Sequence, residues 1–370
     1  MNSKTIWVNG RYLSRKTTGV ERVAGEVLAS LSKHFLNAHG VYKSSTFSLH
    51  FKLAIESNAS FPIPKFAEGW EVKRFGSLNG HAWEQWDLAT LPSEDWVLSL
   101  CNTGPLLRSN HVIFFHDAQV YAIPENFDWK FRWWYKTLLN LSGKRSKIVL
   151  TNSEFSKSEL SKYAGIAPKK LETILLGCDH MSRIALERPL EVLQKLNGKP
   201  YVLAVSSASP NKNFGSVLKA LELLGSTAPH CVIVGQMYSK VFKESKLNSE
   251  RVIEMGYVSD EALAGLYANA MCLIYPSFYE GFGLPPLEAM LLGCPVIASN
   301  RSSLPEVCGS AALYCDPDDP TTIANSILFL TQNPDKVTAM RLTSKRHAEN
   351  FTWEKSATNL LKILEKSISN

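Results

Sequence analysis

The second half of the chain limits the fold most. Residues 201–205 (YVLAV), 231–234 (CVIV), 252–255 (VIEM), 272–275 (CLIY) and 295–298 (PVIA) are short apolar runs, partly β-branched and each too short for a helix. Between them lie stretches with helical spacing, 214–224 and 260–270 among them. Strands that alternate with helices run parallel, because each helix carries the chain back across the sheet. The expected product is an open, doubly wound α/β sheet. The first half repeats the style. TIWV reads as a strand, and Val20, Val23, Val27, Leu28 and Leu31 share one helical face; HVIFF and KIVLTN follow as further strands. A chain of 370 residues, 45% of them hydrophobic, has the material for two cores. The charged, Pro- and Gly-bearing stretch 181–200 is the expected linker. The expected domains are thus residues 1–185 and 186–350, with 351–370 as a terminal helix.

Charge is uneven between the halves. Residues 1–185 hold 23 Lys and Arg against 16 Asp and Glu, a surplus of seven, whereas residues 186–370 hold 17 against 18. A basic first half suits anionic surfaces or phosphate-bearing ligands, and is also common in proteins with neither. The seven cysteines are scattered without CxxC spacing, which points to a reduced, cytoplasmic protein. MNSKTIWVNGRYL turns polar too early for a secretory leader, and no run reaches membrane-spanning length.

In open α/β sheets ligands bind beyond the carboxyl ends of the strands, so chemistry is expected just after them. Residues 275–299, YPSFYEGFGLPPLEAMLLGCPVIAS, meet that expectation. A strand ends at Tyr275, a loop follows, and Pro285-Pro286 open a helix that runs to Leu292 and stops at Gly293. Gly281 and Gly283 let backbone approach a ligand, and the helix start is an expected anion site with unpaired N–H groups. Glu280 lies on the loop and Glu288 in the first helical turn. Carboxylates accept hydrogen bonds from hydroxyls, so two of them flanking an anion site suit a ligand with hydroxyls at both ends and phosphate between, a nucleotide sugar. Taken singly, Glu288 has an equally good structural reading as a first-turn acid favoured by the helix dipole.

This stretch resembles the signature of retaining glycosyltransferase family 4, whose members have the GT-B fold: two Rossmann-like, doubly wound α/β domains facing across a cleft. The family's paired glutamates fall on Glu280 and Glu288. ASPNKNF (208–214) resembles the loop carrying a donor-phosphate lysine, here Lys212. FFHDA (114–118) resembles the segment whose histidine, here His116, approaches the donor sugar. TTGVERV (17–23), with Gly19, resembles a loop near the catalytic cleft, and FTWEKSA (351–357) resembles the start of a helix that crosses back to the first domain. The resemblance implies catalytic roles for Glu280, His116 and Lys212. It implies donor contacts from Gly19, Ser207, Lys212, Gly281, Phe282, Gly283 and Leu284. Glu280 would hold the sugar hydroxyls and Glu288 the ribose, with Gly235, Tyr257 and Val258 around the base. It also implies no metal and no other cofactor, with Lys212 and the helix dipole meeting the diphosphate charge. The acceptor hydroxyl then attacks on the face the diphosphate leaves, and a phosphate oxygen takes the proton. FYEGFGLPPLEAM is similar to mannosyltransferases, so GDP-mannose is the first expectation for the donor; a UDP-sugar, another GDP-sugar, or an idle nucleotide-sugar-binding partner of the same fold are the alternatives. The expected acceptor is a lipid-linked or growing surface glycan at the inner face of the plasma membrane.

Some features depart from the family or stand apart from it. Ser206 stands where some members place a second phosphate-binding arginine, and Asn211 where an arginine often precedes the lysine; Arg301 is a substitute only if it faces the ligand. Asp316-Pro317-Asp318 looks like a metal-binding pair, but Asp319-Pro320 before TTIANSILFL reads as a capped helix start. His116, taken alone, also fits a hydrogen-bonded strand-end residue. Residues 127–147, FDWKFRWWYKTLLNLSGKRSK, mix rings with cations from Phe127 to Lys147 and fit either a helix lying on an anionic membrane or one with its rings in the core. No G-x-G-x-x-G follows a strand with a downstream acid, and no nucleic-acid module is present, which argues against a dinucleotide oxidoreductase and a nucleic-acid partner.

Overall fold

The structure, a computed structural model, describes residues 2–188, 190–206, 209–235 and 251–368. The chain divides into two compact units: the first comprises residues 1–177 and 353–370, the second residues 178–352. The division falls at Gly177, ahead of the 181–200 stretch, which contributes the helix Leu190–Leu196 to the second unit.

The first unit holds eight strands: β1 Asn2–Asn9, β2 Val41–Lys43, β3 Phe47–Glu56, β4 Val72–Phe75, β5 Trp96–Ser99, β6 His111–Phe114, β7 Ile148–Thr151 and β8 Leu171–Thr173. Their order is β2-β3-β1-β5-β6-β7-β8, with β4 also on β3. All pairs are parallel except β2 with β3. β5, β6 and β7 are buried along their whole length. Strands covered on both faces read as continuous apolar runs, which is why HVIFF and KIVL show no alternation. Helix Gly19–Phe35 buries Val23, Val27, Leu28 and Leu31, and Val20 at its start is only half-buried. Against it packs helix Trp353–Ile368, whose Ala357, Leu360, Leu361 and Leu364 face inward at helical spacing. Tyr42 Oη donates to Glu365 at 2.6 Å and Ser356 Oγ to the Leu175 carbonyl at 2.7 Å, fixing this last helix within the first unit.

The second unit is an all-parallel sheet of β9 Tyr201–Ser206, β10 His230–Gly235, β11 Val252–Gly256, β12 Cys272–Tyr275, β13 Val296–Ser299 and β14 Leu313–Cys315. The order β11-β10-β9-β12-β13-β14 places the reversal of winding between β9 and β12. Helices Phe214–Leu224 and Pro320–Gln332 press Val217, Leu221, Ile323 and Ile327 into one core with Ile233, Ile274 and Ile297 of the sheet. Among the described residues no helix is long and apolar enough to cross a membrane.

Candidate active site

A reversal of winding leaves the loops after β9 and β12 adjacent at the carboxyl edge of the sheet, the usual ligand position in open α/β folds. Two asparagines stitch these loops together. Asn211 donates from Nδ2 to the Tyr279 carbonyl at 3.0 Å and its carbonyl accepts from Phe278 N at 2.8 Å. Asn213 sits in the left-handed region (φ 57°), which asparagine tolerates better than most residues, and donates to the Pro276 and Pro317 carbonyls at 3.2 and 2.7 Å. Lys212, held between them, is thereby aimed at the second loop. Its Nζ donates to Glu280 Oε1 at 2.7 Å and to Tyr275 Oη at 2.6 Å. The two charged side chains are 19% and 13% exposed. An ammonium carries three N–H bonds, so one is left with no partner among the described residues. Burial and then the charge of Glu280 push the Tyr275 phenol far up, so it stays neutral beside the pair.

The Glu280 loop is gripped from its other side by the loop after β13. Ser302 Oγ accepts from Glu280 N at 3.0 Å, and Ser303 Oγ donates towards the carbonyls of Glu280 and Phe282 at 3.0 and 2.7 Å. Phe282 is buried and meets Phe351 edge-on. Gly283 adopts φ 112° and caps helix Leu284–Leu291, a backbone angle that favours glycine; a Cβ there would lie 2.7 Å from Leu304 Cδ2, which would have to shift. Two expectations need correcting here. Pro285 and Pro286 have no N–H, so the first turn offers fewer donors than an ordinary helix start, leaving Leu284 N–H and the macrodipole. The helix also begins at Leu284, which places Glu288 in its second turn, where the dipole has largely faded. The dipole therefore does not account for a buried acid there. Instead Glu288 Oε1 accepts from His180 Nε2 at 3.1 Å, both side chains being nearly buried. A carboxylate only accepts, so Nε2 carries the proton, and Oε2 has no partner among the described residues.

Gly235 (φ 103°) ends β10, and Tyr257 and Val258 follow β11, all on the same carboxyl edge. Ser207 lies outside the described residues. Arg301 Nη2 contacts Asp316 Oδ1 at 3.0 Å and also Asp318 Oδ2, so it is engaged by the two acids of the Asp-Pro-Asp turn. Asp319 caps helix Pro320–Gln332 through Thr321 N at 2.9 Å.

In the first unit His116 follows β6 and is buried; its Nε2 lies 2.9 Å from the Leu100 carbonyl and its ring stacks on Phe114. The carbonyl fixes the proton on Nε2, leaving Nδ1 as an acceptor. Burial brings its pKa down to about 4, with the Leu100 bond opposing, so the ring is neutral at physiological pH. Gly19 opens helix Gly19–Phe35, where Thr18 and Glu21 form a capping box and Arg15 pairs with Glu21 at 3.1 Å; a Cβ on Gly19 would meet nothing within 4 Å.

Residues 188–347 match the family described as Glycosyl transferases group 1. The chain is 34% identical over 267 residues to O-antigen chain mannosyltransferase B of Escherichia coli, a match that covers 68% of each chain. It belongs to the group 1 glycosyl transferases. The enzyme is thus a retaining hexosyltransferase of family 4 with the GT-B fold. It is also 27% identical over 221 residues to the GDP-mannose-dependent alpha-(1-6)-phosphatidylinositol dimannoside mannosyltransferase of Mycobacterium tuberculosis, covering 58% of this chain and 57% of that one. The solved structure of Anabaena Alr3699/HepE in complex with UDP-glucose superposes with a TM-score of 0.72 at 18% identity, over 98% and 99% of the two chains.

Several residues that build this glycosyltransferase site gave no signal in the sequence. Tyr275 was only the end of an apolar run, Ser302 and Ser303 were loop residues, and His180 stands 108 positions from the carboxylate it holds. Each acts through a contact made by the sheet order, which no local pattern encodes.

Proposed function

We propose that this glycosyltransferase moves mannose from GDP-mannose, with retention, to a hydroxyl of a lipid-linked or growing surface glycan at the inner face of the plasma membrane, without a metal. The observation that carries the reading is the convergence of Lys212, Glu280, Glu288 and the start of helix Leu284–Leu291 on one edge of the second unit's sheet. In this reading the third N–H of Lys212 meets the diphosphate, and charge that grows on the leaving group strengthens that contact. Glu280 binds hydroxyls of the sugar, Glu288 Oε2 binds the ribose, and the backbone from Gly281 to Leu284 lies along the phosphates. Gly235, Tyr257 and Val258 line the base. His116 accepts a hydroxyl of the donor sugar at Nδ1. The acceptor oxygen forms a bond to the anomeric carbon as the bond to the diphosphate breaks, and the acceptor proton passes to a phosphate oxygen of the departing nucleotide.

Mannose is favoured by the two relatives, one named an O-antigen chain mannosyltransferase and the other GDP-mannose-dependent. A UDP donor is the second reading, favoured by the UDP-glucose held in the Anabaena structure. The test is turnover of GDP- and UDP-sugars in EDTA by the wild type and by Glu280→Ala. Release of GDP from GDP-mannose alone, abolished in the variant, supports the proposal. Selective release of UDP moves the donor to the second reading. Binding without turnover, with every acceptor and with added metal, makes the chain an idle nucleotide-sugar-binding partner.

A further inference from the structure

Helix Trp129–Arg145 turns its tryptophans outward. Leu138, Leu139, Ser142 and Gly143 are its buried residues, and Phe127 and Tyr135 pack partly against the adjoining core. On the opposite side Trp129, Trp133, Trp134 and Leu141 are exposed, Trp133 to 67%. The reading that places the rings of 127–147 in the core therefore holds for Phe127 and Tyr135 and fails for the three tryptophans. Two further members of this surface carry no local signal. Trp86 (61% exposed) and Leu107 (64%) come from other parts of the first unit and join Trp134 and Arg145 around a recess of about 450 Å³. Gln85, on its wall, has both amide groups occupied, donating to the Gly104 carbonyl at 2.8 Å and accepting from Leu106 N at 3.0 Å. What the recess offers an incoming group is thus largely apolar. Exposed apolar surface on this scale marks a contact with something else.

The cations around it outnumber the acids, which include Asp128 at the helix start and Glu84 against His81 of the recess wall. The helix carries Lys130, Arg132, Lys136, Lys144 and Arg145 and no acid, and no acid lines the recess. Lys130 lies over the ring of Trp129, with Nζ 5.6 Å from its centre. Beyond the helix end Lys170 binds the Ser146 carbonyl at 3.0 Å, and burial, with smaller contributions from the nearby Lys169 and Lys147, lowers its pKa. Tryptophans with an apolar body and a polar N–H, interleaved with cations, match the boundary between headgroups and acyl chains of an anionic bilayer. An apolar face without the cations would suit a second copy equally well; a surplus of cations disfavours one.

We propose that Trp86, Leu107 and the outward face of helix Trp129–Arg145 form a docking surface for an anionic lipid bilayer, with the rings entering the headgroup boundary and Lys130, Lys144 and Arg145 meeting lipid phosphates. This deepens the reading of a membrane-borne acceptor and rests on it only for the purpose the contact serves.

The test is flotation of the full chain with vesicles of phosphatidylcholine alone and of phosphatidylcholine with phosphatidylglycerol. Binding to the anionic vesicles, weakened by salt, is expected, with little binding to the neutral ones. Each cation that reaches the headgroups is expected to contribute roughly five-fold, so Lys130→Gln/Lys144→Gln/Arg145→Gln should weaken binding about a hundred-fold. Trp86→Ser/Trp134→Ser, at surface positions, should retain the wild-type melting temperature and lose at least ten-fold, and brominated lipid should quench wild-type tryptophan fluorescence. Glu280→Ala should float like wild type, so a failed donor reading and a failed docking surface give different results. Absence of flotation, equal binding to both vesicles, flotation unchanged in either surface variant, a dimer in light scattering that Trp134→Ser dissolves, or binding to a single-stranded oligonucleotide in place of vesicles would each overturn the proposal.

Discussion

Replacing Lys212 by methionine, Glu280 by leucine, and both together separates what the ion pair does for the fold from what it does for transfer. At 2.7 Å, with an effective dielectric constant of about 20, the gross attraction is about 6 kcal/mol. Neither group is sealed from water, at 19% and 13% exposure, so desolvation and screening leave a smaller net value. Removing one partner of a fully buried pair costs about 3–5 kcal/mol, most of it from the charge left behind; here about 2 kcal/mol is expected for either single change. In a unit of this size that lowers the melting temperature by roughly 4–8 °C. The double variant leaves no unpaired charge and should lie within about 1 kcal/mol of wild type, giving a coupling of about 3 kcal/mol in a double-mutant cycle. Activity should not follow stability. Loss of the lysine should lower kcat about 10²–10³-fold, as for other charge-stabilising donors, and the restored fold of the double variant should bring none of it back. Glu280→Leu should keep nucleoside diphosphate affinity, because it releases a second N–H of Lys212 towards phosphate. Thermal unfolding, isothermal titration with the diphosphate and donor turnover report these separately. A Lys212→Met protein that melts like wild type, or a double variant that turns over, refutes the reasoning.

His180 is expected to act as a positioning residue: His180→Ala should raise KM for the donor about ten-fold or more with little change in kcat, and His180→Gln, which keeps a donor near Glu288 Oε1, should recover most of it. Gly283→Ala should cost about 2–3 kcal/mol in stability and weaken donor binding, because it meets both a left-handed φ and Leu304; calorimetry and titration check the two effects. Burial lowers the pKa of His111 to about 3 and that of His116 to about 4, below the unfolded value of about 6.5, so the unfolded chain binds the extra protons. Stability is then full above about pH 6.5 and falls as pH drops, by about 2 kcal/mol per histidine at pH 5; urea unfolding at pH 5 and 7.5 should show this slope, and His111→Gln should flatten it.

How much could be read beforehand depended on whether a feature is local. The parallel sheets were legible because strands covered on both faces must be continuous apolar runs, as YVLAV and CVIV are. The extent of the helix at Leu284 was less so, since the double proline marks a first turn without saying which residue opens it, and this one-residue difference carried Glu288 out of the dipole's reach. The outward turn of Trp133 and Trp134 was not legible at all: rings and cations alternate through 129–136 with no apolar face, and only the neighbours that bury Leu138 and Leu139 decide which side is inside.

The same distinction bears on the missing arginine. Asn211 stands where the resemblance to family 4 puts an arginine before the lysine, and its amide holds the Tyr279 carbonyl and with it the loop that carries Glu280. A guanidinium at that position has no acceptor and five donors, so it could take up the Tyr279 contact only by pointing into the loop and away from a phosphate. The position thus serves either the loop or the ligand. With Arg301 engaged by Asp316 and Asp318, the diphosphate in the proposed site depends on Lys212, the backbone from Gly281 to Leu284 and the helix dipole. Asn211→Arg is accordingly expected to loosen the Glu280 loop more than it strengthens phosphate binding. The measurement is nucleoside diphosphate affinity beside donor turnover: tighter binding with unchanged turnover would show that the loop does not need the asparagine.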